Sequence, residues 1–148
     1  MPITETPLVL LSVDLAGYTR CVAALDSLGV ARFIDDWYRC CATEIRSRGG
    51  RVVKFMGDAC FAVFPADRGP DAVDAARAID AALPPISARH QLAVQLGANA
   101  HLATVAAGEF GPDDDRRYDV IGAGVNALFR MGGGAGIRIS DELRATLP

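Results

Sequence analysis

The chain has 148 residues, of which 51% are hydrophobic and 22% are charged, and its formal net charge at pH 7 is -3. This length and composition predict one soluble globular domain spanning residues 1–148. The acidic balance argues against a nucleic-acid binder that depends on bulk positive charge. No apolar run approaches the roughly 20 residues of a membrane-spanning helix. Four cysteines without C-x-x-C spacing, and no secretory signal, predict a reduced cytoplasmic protein without a zinc site.

The N-terminal third is predicted to hold one buried strand and two helices. Residues 1–7 are polar and include two prolines, so we expect them to be loose. The continuous apolar run at residues 8–13 predicts a buried strand. A helical pattern over residues 18–28 is interrupted at Gly29, and a second helix follows. The apolar face of that second helix is formed by Phe33, Ile34, Trp37, Tyr38, Cys41 and Ile45.

The middle of the chain predicts a hairpin followed by a helix. Residues 52–56 and 60–64 are two short apolar strands, and the Gly-Asp pair at 57–58 is typical of the tight turn between them. Asp71 is predicted to cap a third helix. Because proline lacks the backbone donor that a helix needs, Pro84 and Pro85 are expected to end it.

The last third alternates strands and helices. It is predicted to contain a long strand at 92–105, a polar loop or arm at 108–117, a strand at 119–121, a helix at 124–131, a flexible glycine-rich segment at 132–136, a strand at 137–139 and a short helix capped by Ser140. The whole order of elements predicts an α/β sandwich in which helices pack on a mostly antiparallel sheet.

Two aspartates stand where apolar strands end. Asp14 follows the first strand, and Asp58 lies in the hairpin turn. If these strands are neighbours, the two carboxylates can approach within about 5 Å. Hard oxygen ligands of this kind suit Mg²⁺ or Mn²⁺, and two such ions about 3.5–4 Å apart can act on phosphates. The alternative is a turn aspartate and a helix-capping aspartate without a metal.

Residues beside these aspartates are candidates for nucleotide binding. Gly17, Tyr18 and Thr19 open a helix, where backbone N–H groups favour phosphate, although a plain strand-to-helix turn has the same pattern. Lys54 is the only lysine of the chain and shares its strand parity with Asp58. It can pair with an acid, donate to a purine acceptor, or be exposed to solvent.

The segment 118–130 adds three further candidates. A carboxylate such as Asp119 accepts from an exocyclic amine, so Lys54 and Asp119 together match the acceptor and donor of adenine. Asn126 and Arg130 are four residues apart and share a helix face. They can bind a ribose and offset developing phosphate charge, or they can form a solvated polar stripe.

Three motifs in this order resemble the class III nucleotidyl cyclase catalytic domain, the family of adenylate and guanylate cyclases. They are the segment 13–19, Lys-x-x-Gly-Asp at 54–58, and Tyr-Asp-x-x-Gly-x-x-Val-Asn-x-x-x-Arg at 118–130. The resemblance covers about residues 8–143 and implies a ferredoxin-like α+β fold. It implies an adenylate cyclase that forms cyclic AMP from ATP with two Mg²⁺ or Mn²⁺ ions per site.

The resemblance also assigns residue roles and an assembly. Asp14 and Asp58 would bind the metals, Lys54 and Asp119 would select adenine, Asn126 would orient the ribose and Arg130 would meet the phosphates. In the family, the metal aspartates come from one chain and the other four residues from its partner. A homodimer with two shared sites is therefore implied.

The chain departs from the family in one place that bears on phosphate binding. The family usually has a further lysine near its C-terminal strands, whereas this chain has no second lysine and is C-terminally short. Arg138 or Arg144 can stand in for it. Two alternatives stay open: a catalytically weak cyclase-homology domain that dimerises or senses nucleotide, and a cyclase for another nucleobase. The polar arm at 108–117 is either a solvated loop or a contact to the partner subunit.

Overall fold

A computed structural model describes all 148 residues and contains six strands and five helices. The strands are β1 (Thr4–Ala16), β2 (Arg51–Met56), β3 (Ala59–Pro65), β4 (Gln95–Phe110), β5 (Arg117–Ile121) and β6 (Gly136–Ile139). The helices are α1 (Tyr18–Val22), α2 (Ser27–Arg46), α3 (Gly69–Arg89), α4 (Ala123–Arg130) and α5 (Asp141–Arg144). None of these helices has the length and apolar character needed to cross a membrane.

The strands form one mostly antiparallel sheet, as predicted. Its order is β2-β3-β1-β4-β5, and β6 adds to β4 in parallel. The first four strands, in the order β2-β3-β1-β4, and the helices between them follow the ferredoxin-like arrangement, with β3 and β1 in the centre. The pair of β1 and β4 runs in register from Thr4↔Ala107 to Ala16↔Gln95. Strand β3 pairs with β1, and β5 and β6 pair with β4, so three other strands attach directly to this long pair.

Alternation along the strands sends side chains into two separate apolar clusters, one on each face of the sheet. Val9, Leu11 and Val13 of β1 belong to the larger cluster, which α2 and α3 cover. Leu10 belongs to the smaller one, which β5 and α4 cover through Val120 and Leu128. Because successive residues of a strand face opposite sides, both faces of β1 are covered: one by α2 and α3, the other by β5 and α4.

The predicted apolar face of α2 is confirmed, since Phe33, Trp37, Cys41 and Ile45 are all fully buried. The predicted boundary at Gly29 is wrong: α1 ends at Val22, and α2 begins at Ser27. The Asp26 side chain caps α2 by accepting from Gly29 N at 2.8 Å. Gly29 therefore lies inside the first turn of α2, where it supplies a free N–H to the cap.

The N-terminus is more ordered than predicted. Residues 1–7 were expected to be loose, yet β1 begins at Thr4, and the Met1 amino group lies 3.1 Å from Glu109 Oε2. Main-chain pairing with β4 holds this segment, and such pairing does not require apolar side chains. Pro7 lies opposite Thr104 of β4 and beyond the end of β3, whose pairing with β1 begins at Leu8.

Helix α3 runs through the two prolines that were expected to end it. It continues to Arg89, because Leu83 and Ile86 are buried on either side of the prolines and hold the chain against the sheet. Asp71 was predicted to be the cap, but α3 begins two residues earlier. Asp71 lies in its first turn and accepts from Arg68 Nε at 2.8 Å.

The predicted polar arm at 108–117 is a loop at its centre and strand at both ends. Strand β4 extends to Phe110 and β5 begins at Arg117, with Gly108 paired to Asp119 in the ladder between them. Only residues 111–116 form a loop, which Arg116 closes by donating to Gly111 O at 2.6 Å. The predicted loop is therefore confirmed over residues 111–116, while pairing between β4 and β5 takes the two ends of the segment into the sheet.

Candidate active site

Asp14 and Asp58 come together at one end of β1. Asp14 lies in β1, and Asp58 lies in the turn between β2 and β3; both are half-buried. The Asp58 carboxylate accepts from Leu15 N at 2.9 Å, directly beside Asp14. Val13 pairs with Cys60, which brings the turn next to the end of the β1 ladder with β3. The strands are neighbours, as the sequence hypothesis required.

The two carboxylates influence each other. Burial raises the pKa of the Asp14 carboxyl, the neighbouring Asp58 carboxylate raises it further, and the Arg138 guanidinium lowers it. A divalent cation between two such groups would relieve their repulsion, and their hard oxygens fit Mg²⁺ or Mn²⁺. No group of three or more His, Cys, Asp and Glu side chains gathers anywhere in the chain. The other ligands of an ion here would be backbone oxygens, water or phosphate.

Helix α2 supports the turn that carries Asp58. Trp37 Nε1 donates to Asp58 O at 2.7 Å, and the Tyr38 hydroxyl donates to Gly57 O. The Tyr38 ring stacks on Phe55 of β2 with the ring centroids 4.0 Å apart. These contacts attach the turn to the helix layer, so the position of the Asp58 carboxylate follows from the packing of α2.

The candidates Gly17, Tyr18 and Thr19 lie beside Asp58. Together with Leu15 and Arg20 they line an open pocket of about 440 Å³ that Asp58 also lines. Gly17 has φ of +83°, a left-handed conformation that turns the chain from β1 into α1. This turn places the first backbone N–H groups of α1 beside the aspartate.

Lys54 and Asp119 form an ion pair, although 65 positions separate them. Lys54 Nζ lies 3.2 Å from Asp119 Oδ1 and 3.3 Å from Oδ2. Lys54 pairs in register with Phe61, a member of the smaller cluster, so its side chain shares the α4 face of the sheet. Of the alternatives for Lys54, the structure has the pairing with an acid, and both members of the pair line the same pocket.

A second contact joins the same two strands. The Arg51 guanidinium lies over the Tyr118 ring, 3.4 Å from its centroid. Strands β2 and β5 are at opposite ends of the strand order, so the sheet curls until their side chains meet. The Lys54–Asp119 pair and the Arg51–Tyr118 stack therefore join β2 to β5 on the face of the sheet that holds the smaller cluster.

Asn126 and Arg130 lie on α4, one turn apart, and both are exposed. Asn126 lines an open pocket of about 310 Å³ together with Lys54 and Asp119. Arg130 lines neither this pocket nor the one beside Asp58, and its side chain makes no hydrogen bond or ion pair within the chain. The helix predicted for them is confirmed, with Leu128 as its buried residue.

Within one chain, the site residues fall into two groups. The first comprises Asp58 with Gly17, Tyr18 and Thr19, and Asp14 lies beside Asp58; the second comprises Lys54, Asp119 and Asn126. The two pockets share no lining residue, and Arg130 extends into solvent beside the second. One chain thus keeps the two groups of candidate residues apart.

Sequence reasoning missed one polar residue near these groups. Asn99 lies in β4, is 5% exposed, and is bonded to both Leu128 and Arg138. The only signal in the sequence is a lone amide within a strand of small apolar residues, which does not identify its partners. Arg138, considered from the sequence only as a phosphate contact, is half-buried, and its positive charge lowers the pKa of the Asp14 carboxyl.

The chain is similar in sequence to several longer proteins. It is 28% identical to an adenylate cyclase of Anabaena cylindrica over 134 residues, which are 85% of this chain and 27% of that protein. It is 32% identical to an uncharacterised protein of Mycobacterium tuberculosis over 124 residues, 80% of this chain and 22% of that protein. The chain spans about a quarter of the length of these relatives. No protein-family model matches it.

Solved structures share its fold over nearly its whole length. The guanylyl cyclase Cya2 superposes with a TM-score of 0.91 and 25% identity, covering 99% of this chain and 80% of that one. The adenylyl cyclase CyaB from P. aeruginosa also has a TM-score of 0.91, at 19% identity, covering 99% of this chain and 82% of that one. The similarity in fold therefore extends to both adenylyl and guanylyl enzymes.

Proposed function

We propose that this chain, which has the fold and the ordered motifs of a class III adenylyl or guanylyl cyclase domain, converts ATP to 3′,5′-cyclic AMP and pyrophosphate. One observation carries the proposal: Lys54 and Asp119 meet at 3.2 Å in a pocket that Asn126 also lines. A donor beside an acceptor matches a ring nitrogen and the exocyclic amine of adenine.

The reaction needs little covalent chemistry from the protein. The ribose 3′ oxygen attacks the α-phosphorus, the bond to the bridging oxygen of pyrophosphate breaks, and the hydroxyl proton passes to solvent. In our proposal, Asn126 orients the ribose and Arg130 offsets the negative charge that develops on the phosphates. Gly17, Tyr18 and Thr19 offer backbone donors to the phosphate chain.

We further propose that Asp14 and Asp58 bind two Mg²⁺ or Mn²⁺ ions, which would make the 3′ hydroxyl more acidic and stabilise the phosphates. The mutual effect of the two carboxylates supports this assignment, because a cation between them removes their repulsion. The Leu15 N–H bond to Asp58 holds one carboxylate oxygen and leaves the other without a protein donor.

A homodimer follows from the separation of the two halves of the site. We propose that residues 1–148 form one catalytic domain and that each active site takes Asp14 and Asp58 from one chain and Lys54, Asp119, Asn126 and Arg130 from its partner. Exposed apolar side chains near the site support this assembly: Met56 is 37% exposed, Ile121 49% and Phe129 42%. We place the reaction in the cytoplasm, since four free cysteines favour a reducing compartment.

The direct test supplies ATP and GTP separately to the purified protein with Mn²⁺ and identifies the products by chromatography. Cyclic AMP formed preferentially from ATP is the expected result. The likeness to the guanylyl cyclase Cya2 makes GTP the second candidate substrate. Preferential formation of cyclic GMP from GTP would reverse the base assignment. No cyclic product from either nucleotide would contradict the proposed activity.

The shared site has its own test, in which two inactive variants are mixed. In a mixed dimer, Asp14→Ala and Arg130→Ala fall in the same site, because that site takes its metal residues from one chain and its phosphate contact from the other; the second site keeps all of its residues. Random pairing makes half of the dimers mixed, each with one intact site, so about a quarter of the wild-type activity should return. No recovery, with mixed dimers confirmed by native mass spectrometry, would contradict the sharing of sites.

A further inference from the structure

Asn99 is a buried amide in β4 whose polar atoms all have partners. Its side-chain nitrogen donates to Leu128 O and to Gly132 O, both at 3.1 Å. Its side-chain oxygen accepts from Arg138 Nε at 2.6 Å. A buried polar group left without partners is costly, so this set of bonds favours a single arrangement of the residues around Asn99.

The two donated bonds hold the C-terminal end of α4. Leu128 lies in the last turn of that helix, where carbonyl groups lack the usual partner four residues on. The same carbonyl also accepts from Met131 N at 3.3 Å, which tightens the final turn. A helix of eight residues is not stable alone, so its orientation depends on such tertiary contacts.

Arg138 fixes the amide from the other side. Besides its bond to Asn99, it donates from Nη1 to Gly134 O at 3.2 Å. A Cβ atom on Gly97 would lie 2.5 Å from Gly134 O and 2.5 Å from Asp14 Oδ1. Only glycine leaves room at that point, and the guanidinium therefore belongs to a tightly packed region that includes the Asp14 carboxylate.

Asn126 and Arg130 depend on this arrangement. Both are exposed on α4, and neither side chain makes a hydrogen bond within the chain that would set its direction. Their position is determined by the packing of Leu128 and by the two bonds from Asn99. A shift of α4 by about 1 Å is enough to lower the rate of an enzyme reaction by roughly 100-fold.

We propose that Asn99, fixed by Arg138, is a positioning residue that sets the orientation of α4 and thereby places Asn126 and Arg130 for the reaction. The inference rests on the proposed function, which gives those two residues their roles. It adds a part of the site that lies beneath the helix and touches no substrate.

The mixed dimer gives a sharp test. Asn99→Asp keeps the shape and the oxygen that accepts from Arg138, but removes both N–H donors to α4. In a dimer of Asp14→Ala and Arg130→Ala chains, the intact site takes α4 from the Asp14→Ala chain. Asn99→Asp placed in that chain should lower kcat by roughly 10-fold or more with a smaller change in KM. The same substitution in the Arg130→Ala chain should have a much smaller effect.

The comparison separates positioning from a general loss of stability. A loss of stability lowers activity whichever chain carries the substitution, so equal losses from the two placements would overturn the proposal. Arg138→Leu is less suitable for this comparison, because Arg138 also acts on Asp14.

A second measurement does not require activity. Amide hydrogen exchange in α4 of the Asn99→Asp protein should be about 10-fold faster than in the wild type, with little change in β1. Ser87→Ala is the matched control, because it also removes a hydrogen bond of a buried side chain, the one that Ser87 Oγ donates to Pro84 O at 3.1 Å in α3. It should leave the exchange rates in α4 unchanged.

The two measurements also separate failure of this inference from failure of the proposed function. If the Asp14→Ala and Arg130→Ala chains show no recovery without the Asn99 substitution, the shared site is wrong. Hydrogen exchange still decides the role of Asn99 in that case. Unchanged exchange in α4 of the Asn99→Asp protein would overturn the inference.

Discussion

At the scale of single residues, Asp58 has two separable properties. Its carboxylate accepts from Leu15 N at 2.9 Å, which joins the turn to β1, and its charge acts on Asp14. The hydrogen bond stabilises the folded state, whereas the negative charge is what the proposed metal site requires. Substitutions that remove one property and keep the other can therefore distinguish the two roles.

Asp58→Asn should keep the acceptor for Leu15 N and lose the negative charge. We expect turnover of ATP to fall by at least about 100-fold, because metal ions would lose a ligand, while the melting temperature changes by only a few degrees. Activity assays with Mn²⁺ and calorimetry measure the two effects. Substantial remaining turnover would contradict the metal assignment, and Asp58→Ala shows the added cost of losing the hydrogen bond.

The Lys54–Asp119 pair gives the second prediction at this scale. Lys54→Glu combined with Asp119→Gly or Asp119→Cys should lower the ratio of kcat/KM for ATP over GTP by about 10-fold or more, since each base contact contributes about 1–3 kcal/mol of discrimination. Arg77→Glu with Asp74→Gly is the matched control, because it alters an exposed ion pair on α3. An unchanged ratio would show that the base contacts lie elsewhere.

At the scale of elements, a polar contact joins the middle of α2 to the residue that follows α3. His90 Nε2 lies 2.7 Å from Asp36 Oδ2, and the His90 ring packs edge-on against Phe33 at 5.4 Å. The hydrogen bond with His90 holds the pKa of the Asp36 carboxyl below its ordinary value of 3.8. The ionised form of Asp36 therefore stabilises the folded state.

This contact should make stability depend on acid. Because the folded pKa of Asp36 is depressed, its contribution is complete above pH 3.8 and is lost as the pH falls through the lower, folded pKa. His90→Gln should lower the free energy of unfolding by about 1 kcal/mol at pH 5, and the difference from wild type should shrink below pH 3.8. Urea unfolding across this range measures both; a difference that grows in acid would contradict the assignment.

At the scale of the whole molecule, the two faces of the sheet have different roles. The face under α2 and α3 holds the larger cluster, with Trp37 and Phe33 fully buried. The other face carries α4, the Lys54–Asp119 pair and several exposed apolar side chains. An apolar surface beside the proposed site favours association through that face.

Phe129→Lys should weaken the proposed dimer, because it places a charge at an apolar position that is 42% exposed beside the site. We expect activity per chain to fall with dilution at higher protein concentrations than in the wild type, in step with dissociation measured by analytical ultracentrifugation. Leu28→Lys is the matched control, since Leu28 is 57% exposed at the start of α2. Activity that does not depend on dissociation would contradict a site made by two chains.

Most of the fold could be predicted from local patterns. The apolar run before Asp14, the helical spacing of Trp37 and its neighbours, and the Gly57-Asp58 turn each determined an element through its own short sequence. The errors arose where distant contacts overrode local preference. Pro84 and Pro85 continue a helix because their neighbours are buried, and the N-terminal residues form a strand because β4 provides a partner.

The sequence by itself determined the candidate residue types and their order, since carboxylates, a single lysine and an Asn–Arg pair can be recognised from their spacing. Only the tertiary structure decided which of them meet: the curl of the sheet brings Lys54 to Asp119, and the packing of the turn brings Asp58 to Asp14. It alone revealed Asn99 beneath α4. The physical reason is that spacing along a strand or helix controls direction over a few residues, whereas contacts across 65 positions depend on how the whole sheet twists and packs.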